Sequence, residues 1–227
     1  MKWLQSGIIR IFDIVFSLLA IIVLFPLMIP IMIGLKLTGE HDIFYTQMRV
    51  GKGGKEFQLI KFATMLRNSP NMPGGLHTLK NDPRMLPMGA FLRKTKINEL
   101  PQLINILKGD MSIIGYRPQL MKVYMLFPEE SRNKLKNDRP GLSGIGSIVF
   151  RNEEELLREV GDHVKFYRDV IAPYKPKLEC WYIEHKSIAL YFKMIWLTVI
   201  AVINPSKCNW QDLTGVPQLP EELKKYM

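Results

Sequence analysis

The chain is poor in the residues that build metal sites and disulfide frameworks. Cys180 and Cys208 are its two cysteines, and no metal-ligand spacing joins them. They read as free thiols in a reducing compartment. The four histidines are scattered, with no pair at zinc-enzyme spacing. Acid is also scarce: 21 Asp and Glu stand against 31 Lys and Arg, a net charge of +10. That balance points to an anionic partner. The basic residues are not regularly interleaved with aromatics and no nucleic-acid motif is present, so no nucleic acid is expected. The glycine-rich run at 51–55, GKGGK, lacks Walker spacing and reads as a hairpin turn. Charge is missing altogether from residues 14–35.

What is present is enough for one domain with a membrane appendage: 227 residues, 47% of them apolar. The uncharged run is long enough for a transmembrane helix. It is too long for a signal peptide, and no small-residue cleavage site follows. Pro26 and Pro30 interrupt it. Ile14 to Phe25 makes only about 18 Å of helix, and proline inside a helix removes a hydrogen bond and kinks it. Lys2 and Arg10 precede the run, and Lys36 and Arg49 follow it. The positive-inside rule then puts both ends in the cytoplasm. A re-entrant helix satisfies all of this; the competing reading is a kinked spanning helix. Arg10 and Asp13, at i and i+3, are spaced to pair.

Residues 43–50 and 56–62 are rich in β-branched and aromatic residues and predict a β-hairpin. Residues 68–81 form a polar Pro/Gly/Asn loop that contains His77, a histidine assigned no role.

Residues 82–118 carry the strongest pattern. Leu100, Leu103, Ile104 and Leu107 mark one helix face. Asn98 is placed as its N-cap, Glu99 and Pro101 in its first turn, and Gly109 as its stop. A helix N-terminus among Arg84, Arg93, Lys94, Lys96 and Arg117 suits a phosphate or diphosphate. The competing reading is a capped helix with a solvated basic flank.

The same stretch resembles the signature of the bacterial sugar transferases, the monotopic phosphoglycosyl transferases. The matching pieces are Asp82-Pro83-Arg84, Leu92-Arg93-Lys94-Thr95, Glu99-Leu100-Pro101-Gln102-Leu103, Asn105, Lys108-Gly109-Asp110-Met111-Ser112, Gly115 and Arg117-Pro118. The likeness runs from about residue 8 to about 205. It implies transfer of a phospho-sugar from a UDP-sugar to polyprenyl phosphate at the cytoplasmic face of the inner membrane, with release of UMP. It also implies Mg2+, an Asp-Glu dyad whose Asp is the nucleophile, and a re-entrant helix broken at Pro26. By resemblance, Asn98 and Glu99 occupy the catalytic positions, with Glu99 as metal ligand or base. Lys61, Asp82, Arg84, Arg93, Lys94, Arg117, Pro118 and Arg151 are the substrate-binding candidates. Arg in particular neutralises a diphosphate through its bidentate fork.

The chain departs from the family pattern at telling places. Asn98 stands at the nucleophilic Asp, Ala63 at an Arg, Tyr116 at a Pro and Tyr191 at an Asp. An amide oxygen is a far weaker nucleophile than a carboxylate and a poorer ligand for a hard cation. The Asn is nearly isosteric, so fold and binding survive while the covalent step fails. The expected function is therefore a transferase-fold protein, impaired or silent. The alternatives are an active transferase using Glu99 or another carboxylate such as Asp110, and a non-catalytic membrane-surface protein. Expected partners are membrane lipid, polyprenyl phosphate, a UDP-sugar and, among proteins, a second copy or an active paralogue.

Residues 120–127 and 129–135 read as helix. Arg139 to Gly144 matches a family Pro-Gly-x-Thr-Gly loop with Ser143 for Thr, structurally a tight turn. Residues 153–172 read as a solvated helix. Residues 183–203 are apolar, with interface-type aromatics, and read either as an interfacial helix or as a core helix. The expected class is α+β, mainly helical and monotopic: a re-entrant membrane helix at 1–38, a cytosolic globule with a small β-hairpin at 39–205 and a tail at 206–227.

Overall fold

The computed structural model describes residues 2–72 and 82–226. His77 and most of the 68–81 loop lie outside the described residues. The chain opens with helix α1 (Lys2–Leu37), followed by strands β1 (Phe44–Val50) and β2 (Glu56–Phe62). Next come α2 (Gly89–Lys94), α3 (Gln102–Lys108), β3 (Ser112–Ile114), α4 (Met121–Tyr124), α5 (Glu129–Leu135) and β4 (Gly141–Ser143). Helices α6 (Ile145–Val149), α7 (Glu153–Glu159), α8 (His163–Phe166), α9 (Ala172–His185), α10 (Ile188–Ile203) and α11 (Glu221–Lys224) complete it. The architecture is mixed helix and sheet and mainly helical.

The predicted hairpin is present. Strands β1 and β2 pair antiparallel with Tyr45 opposite Lys61 and Arg49 opposite Phe57. Gly53 and Gly54, at φ 76° and 71°, supply the left-handed backbone of the turn. A second pairing is one that the sequence reading lacks. Strands β3 and β4 are parallel, Ser112 opposite Gly141 and Ile114 opposite Ser143. The Pro140-to-Gly144 run is thus a short strand and not merely a turn.

Helix α1 continues through Pro26 and Pro30. Each proline lacks the N–H that would bond the carbonyl four residues back, yet neither ends the helix. Among the described residues it is the one helix long and apolar enough to cross a membrane. Its buried positions, Ile9, Asp13, Ser17, Met28, Ile31 and Leu35, recur on one side. Ile9 joins the largest core cluster, Ile21 packs beside Leu103 and Ile106, and Leu35 packs with Phe62 and Leu92. The helix therefore lies along the globule from near one end to the other. Leu18, Ile22, Val23, Phe25 and Ile33 face outward and are exposed.

Asp13 ties this helix inward. It accepts hydrogen bonds from the Ser112 hydroxyl (2.8 Å), the Ile113 N–H (2.9 Å) and the Tyr191 hydroxyl (2.9 Å). The expected Arg10–Asp13 pair gives way to a different contact. Arg10 donates to the Ile106 and Leu107 carbonyls at 2.6 and 3.1 Å. Those carbonyls end α3, where unpaired C=O groups and the helix dipole attract a cation. Tyr191 thus gives Asp13 a donor where a carboxylate at this position would repel it.

Helix α10 divides its two faces between the two readings. Tyr191, Met194, Leu197 and Ala201 enter the core, while Phe192, Trp196, Val199 and Ile203 are exposed. The expected helix over 153–172 is broken into α7, α8 and a π-helical turn, Tyr167–Ile171. The C-terminal segment folds back onto the core: Leu213, Val216 and Leu223 are buried, and the Tyr174 hydroxyl donates to the Pro217 carbonyl at 2.8 Å.

Candidate active site

The 96–101 segment sets the site. Lys96 is left-handed at φ 61°, and a 3-10 turn at Ile97–Glu99 follows. Glu99 N–H bonds the Lys96 carbonyl and Leu100 N–H bonds the Ile97 carbonyl. Pro101 has no N–H to give, and α3 starts after it at Gln102. Asn98 is therefore not the N-cap that the sequence pattern predicts. It is 7% exposed, and its Oδ1 is buried with no hydrogen-bond partner among the described residues. Gly109, left-handed at φ 97°, does stop α3 as expected.

Glu99 pairs with Arg117, Oε1 to Nη2 at 3.1 Å. Burial would raise the Glu99 carboxyl, but Arg117, Lys96 and Lys61 outweigh it and hold the group below its usual value. Arg117 is in turn raised, chiefly by Glu99. Lys61 reaches the same place from β2, its ammonium 5.0 Å from the Tyr45 ring centre. Burial lowers its pKa to about 8, and repulsion from Arg49 and Arg93 adds to the shift.

Arg49 belongs to this cluster and was absent from the sequence-based candidates. It donates to the Gln47 side chain at 2.7 Å and to the Pro118 carbonyl at 3.2 Å. Burial, then Arg117, lowers it to about 10. The signal was available: Tyr45, Gln47 and Arg49 alternate on one face of a hairpin strand, the face that Lys61 shares. Arg93 is half-buried and touches the Met65 sulfur at 3.5 Å. Lys94 is exposed on the last turn of α2.

Two candidates have another task. Asp82 and Arg84 are almost fully buried together: Nη2–Oδ2 is 2.6 Å, Nε–Oδ1 is 2.8 Å, and Arg84 also donates to the Ser69 carbonyl at 3.0 Å. An arginine 1% exposed with its fork turned onto a neighbouring carboxylate braces the loop and is not presented to a ligand. Arg151 lines a separate cavity of about 270 Å³ with Cys208, Trp210, Leu219 and Tyr226. Asp110 accepts from Asn105 at 3.1 Å beyond the C-terminal end of α3, about 10 Å of helix away from the Asn98 end. Asn105 itself mimics a strand, bonding the Ile60 N–H at 3.0 Å and the Gln58 carbonyl at 2.8 Å. It thereby fixes α3 to β2, and so the Asn98 end of α3 to Lys61.

The arrangement is a cluster of cations around one ion-paired carboxylate, beside a buried amide. The family model for bacterial sugar transferases matches residues 4–205. The chain belongs to the bacterial sugar transferase family. It is similar to a putative undecaprenyl-phosphate N-acetylgalactosaminyl 1-phosphate transferase of Bacillus subtilis, 41% identical over 64% of this chain and 78% of that protein. An undecaprenyl-phosphate galactose phosphotransferase of Salmonella typhimurium is 37% identical over 63% of this chain and 33% of that protein. A UDP-glucose:undecaprenyl-phosphate glucose-1-phosphate transferase of Xanthomonas campestris is 30% identical over 84% of this chain and 38% of that protein. The chain thus spans little more than a third of the latter two relatives.

A Mg2+ ion would find a thin donor set in this family member. Among the described residues no three His, Cys, Asp or Glu side chains converge. Magnesium is commonly held by one or two carboxylates plus substrate phosphates and water. Glu99 with the unpartnered Asn98 Oδ1 fits that minimal pattern.

Proposed function

We propose that this chain is a phosphoglycosyl transferase-fold protein of polyprenyl-linked glycan assembly that binds a UDP-sugar between Lys61, Glu99 and Arg117 and is impaired or silent in the covalent step. The observation that carries the reading is Asn98: a buried amide, its oxygen unpartnered, beside the Glu99–Arg117 ion pair. An amide can orient a phosphate or assist a cation, but it does not attack phosphorus as a carboxylate does. Glu99 is a poor substitute nucleophile, because Arg117 holds it. Arg49, Lys61, Arg93 and Arg117 supply the positive charge that a diphosphate needs. Mg2+, when bound, would neutralise further diphosphate charge, held by Glu99 and the Asn98 oxygen.

The test is calorimetry on the full chain in lipid nanodiscs, with a panel of UDP-sugars whose diphosphate charge is constant from pH 6 to 9. Binding is expected without UMP release. Lys61 favours the anion only while protonated, so affinity should fall as pH rises through about 8. Lys61→Met should bind more weakly and lose that pH dependence. Failure of every UDP-sugar to bind, or steady UMP release by the parent, overturns the reading.

The site is proposed to face the cytoplasm from a monotopic seat. Helix α1 is about 54 Å long by its rise per residue, yet residues near both of its ends pack on the same globule. A spanning helix would carry one end across the bilayer and away from it. The outward faces of α1 and α10 together offer an apolar surface to lipid. Single cysteines at Ser6 and Lys36 should both react with an impermeant maleimide from the cytoplasmic side alone. Labelling of either from the opposite side would establish a spanning helix.

A further inference from the structure

Glu179 lies on α9, 62 residues from Arg117, and the reaction just described does not use it. It is 2% exposed. Its Oε1 accepts the Arg117 N–H at 3.2 Å, and the Gly146 backbone packs closely against the carboxyl. The approach to the glycines is close. A Cβ on Gly146 would stand 2.3 Å from Oε1, and one on Gly144 would stand 3.7 Å from Oε2. One carboxylate therefore joins the loop after β3 to the segment after β4. From the first of these loops the Arg117 side chain runs out to Glu99.

The second oxygen is the unusual part. Oε2 is buried with no hydrogen-bond partner among the described residues, whereas buried polar atoms are nearly always satisfied. The charged and titratable groups that face Glu179 are Arg117 from its loop, Lys175 one turn earlier on α9, and the phenols of Tyr116 and Tyr182. Lys175 is engaged by Glu153 of α7 and lies over the Phe150 ring. Both phenol oxygens are themselves buried without hydrogen-bond partners among the described residues.

We propose that Glu179 is the positioning residue of this site: its carboxylate, bonded to the Arg117 amide and packed against the Gly146 backbone, sets where the Arg117 guanidinium meets Glu99 and an anionic ligand. The ligand half of this rests on the UDP-sugar reading above; the clamp on Arg117 and Glu99 does not. Burial pushes the Glu179 carboxyl up to about 7, with the backbone of Arg117 and Gly146, Lys175 and the Arg117 charge pulling the other way. Charge on the clamp therefore changes within the ordinary working range.

The experiment follows the Arg117 amide and the Glu99 carboxyl by NMR in full-length, isotope-labelled protein. UDP-glucose affinity is measured beside it. The Arg117 amide shift should titrate with a midpoint near pH 7 in the parent and stay flat in Glu179→Gln. In Glu179→Ala the Glu99 carboxyl should titrate at higher pH, and UDP-glucose binding should weaken at least tenfold. Glu179→Gln keeps an acceptor oxygen and should bind within about threefold of the parent at pH 7. A merely structural role would lower thermal stability and leave the Glu99 titration and the UDP-glucose affinity of folded Glu179→Ala as in the parent; that result overturns the proposal. If Glu179→Ala does not fold, Glu179→Asp, which draws the carboxylate back by one methylene, is read for the same two changes. If the parent binds neither UDP-glucose nor any other UDP-sugar of the panel while the two NMR titrations behave as stated, the ligand reading fails and the clamp stands.

Discussion

Asn98→Asp should convert a protein that holds UDP-sugar into one that releases UMP, a gain of about 10⁴- to 10⁶-fold, the scale on which losing a member of a catalytic constellation lowers turnover. The introduced carboxylate would attack the sugar-side phosphorus. The bond from that phosphorus to the bridging oxygen would break, and the electron pair would leave with UMP. The phospho-sugar would remain on the side chain until a polyprenyl phosphate oxygen displaced it and freed the carboxylate. The substitution is nearly isosteric at a position only 7% exposed. Lys61 and Arg117 already favour the charged form of the neighbouring residue, Glu99. The check is UMP release in nanodiscs with polyprenyl phosphate, with mass spectrometry for the covalent adduct. A folded variant that binds UDP-sugar and forms no adduct would show that the defect lies beyond position 98. Ala63, 3% exposed and expected from the resemblance to replace an Arg, is then the next position to test.

Asp82→Ala should be the most destabilising single change at any of the sequence-predicted site residues. It strands the Arg84 guanidinium in the interior, and breaking a buried pair from one side costs about 3–5 kcal/mol. For a chain of this size that is roughly 10 °C in melting temperature. Replacing both partners, Asp82→Ala with Arg84→Met, should recover much of the loss, since no charge is then left buried. Thermal melts of the three proteins in one detergent decide it. An Asp82→Ala variant that melts with the parent and loses only ligand affinity would return this pair to the binding surface.

These two positions mark where the sequence was legible and where it was not. A hairpin announces itself by alternation, so Tyr45, Arg49 and Lys61 could be placed on one face before any coordinates. Gly109 stops α3 where a residue tolerant of positive φ was needed. By contrast, Asp82-Pro83-Arg84 reads as a charged loop, and nothing in one dimension reveals that its two charges turn inward onto each other. Asn98 reads as a cap because its residue type and the apolar spacing after it agree. Pro101 moves the helix start to Gln102, and the amide is left unused. The β3–β4 pairing is three residues long on each side, too short for any period, and joins segments far apart in sequence. Glu179 carries no local signal at all, since its partners are backbone groups supplied by other elements.

Helix α1 also changes what counts as the inside of this protein. Its inner stripe supplies Ile21, Met28, Ile31 and Leu35 to the packing that holds Phe62, Leu92, Leu103 and Met111. Residue 38 marks a change of surroundings for the chain and no seam in its interior. A version trimmed to the part beyond it would bare the wall against which α3 rests, and with α3 the position of Asn98. For this protein the long apolar helix and the frame of the candidate site are one piece of structure.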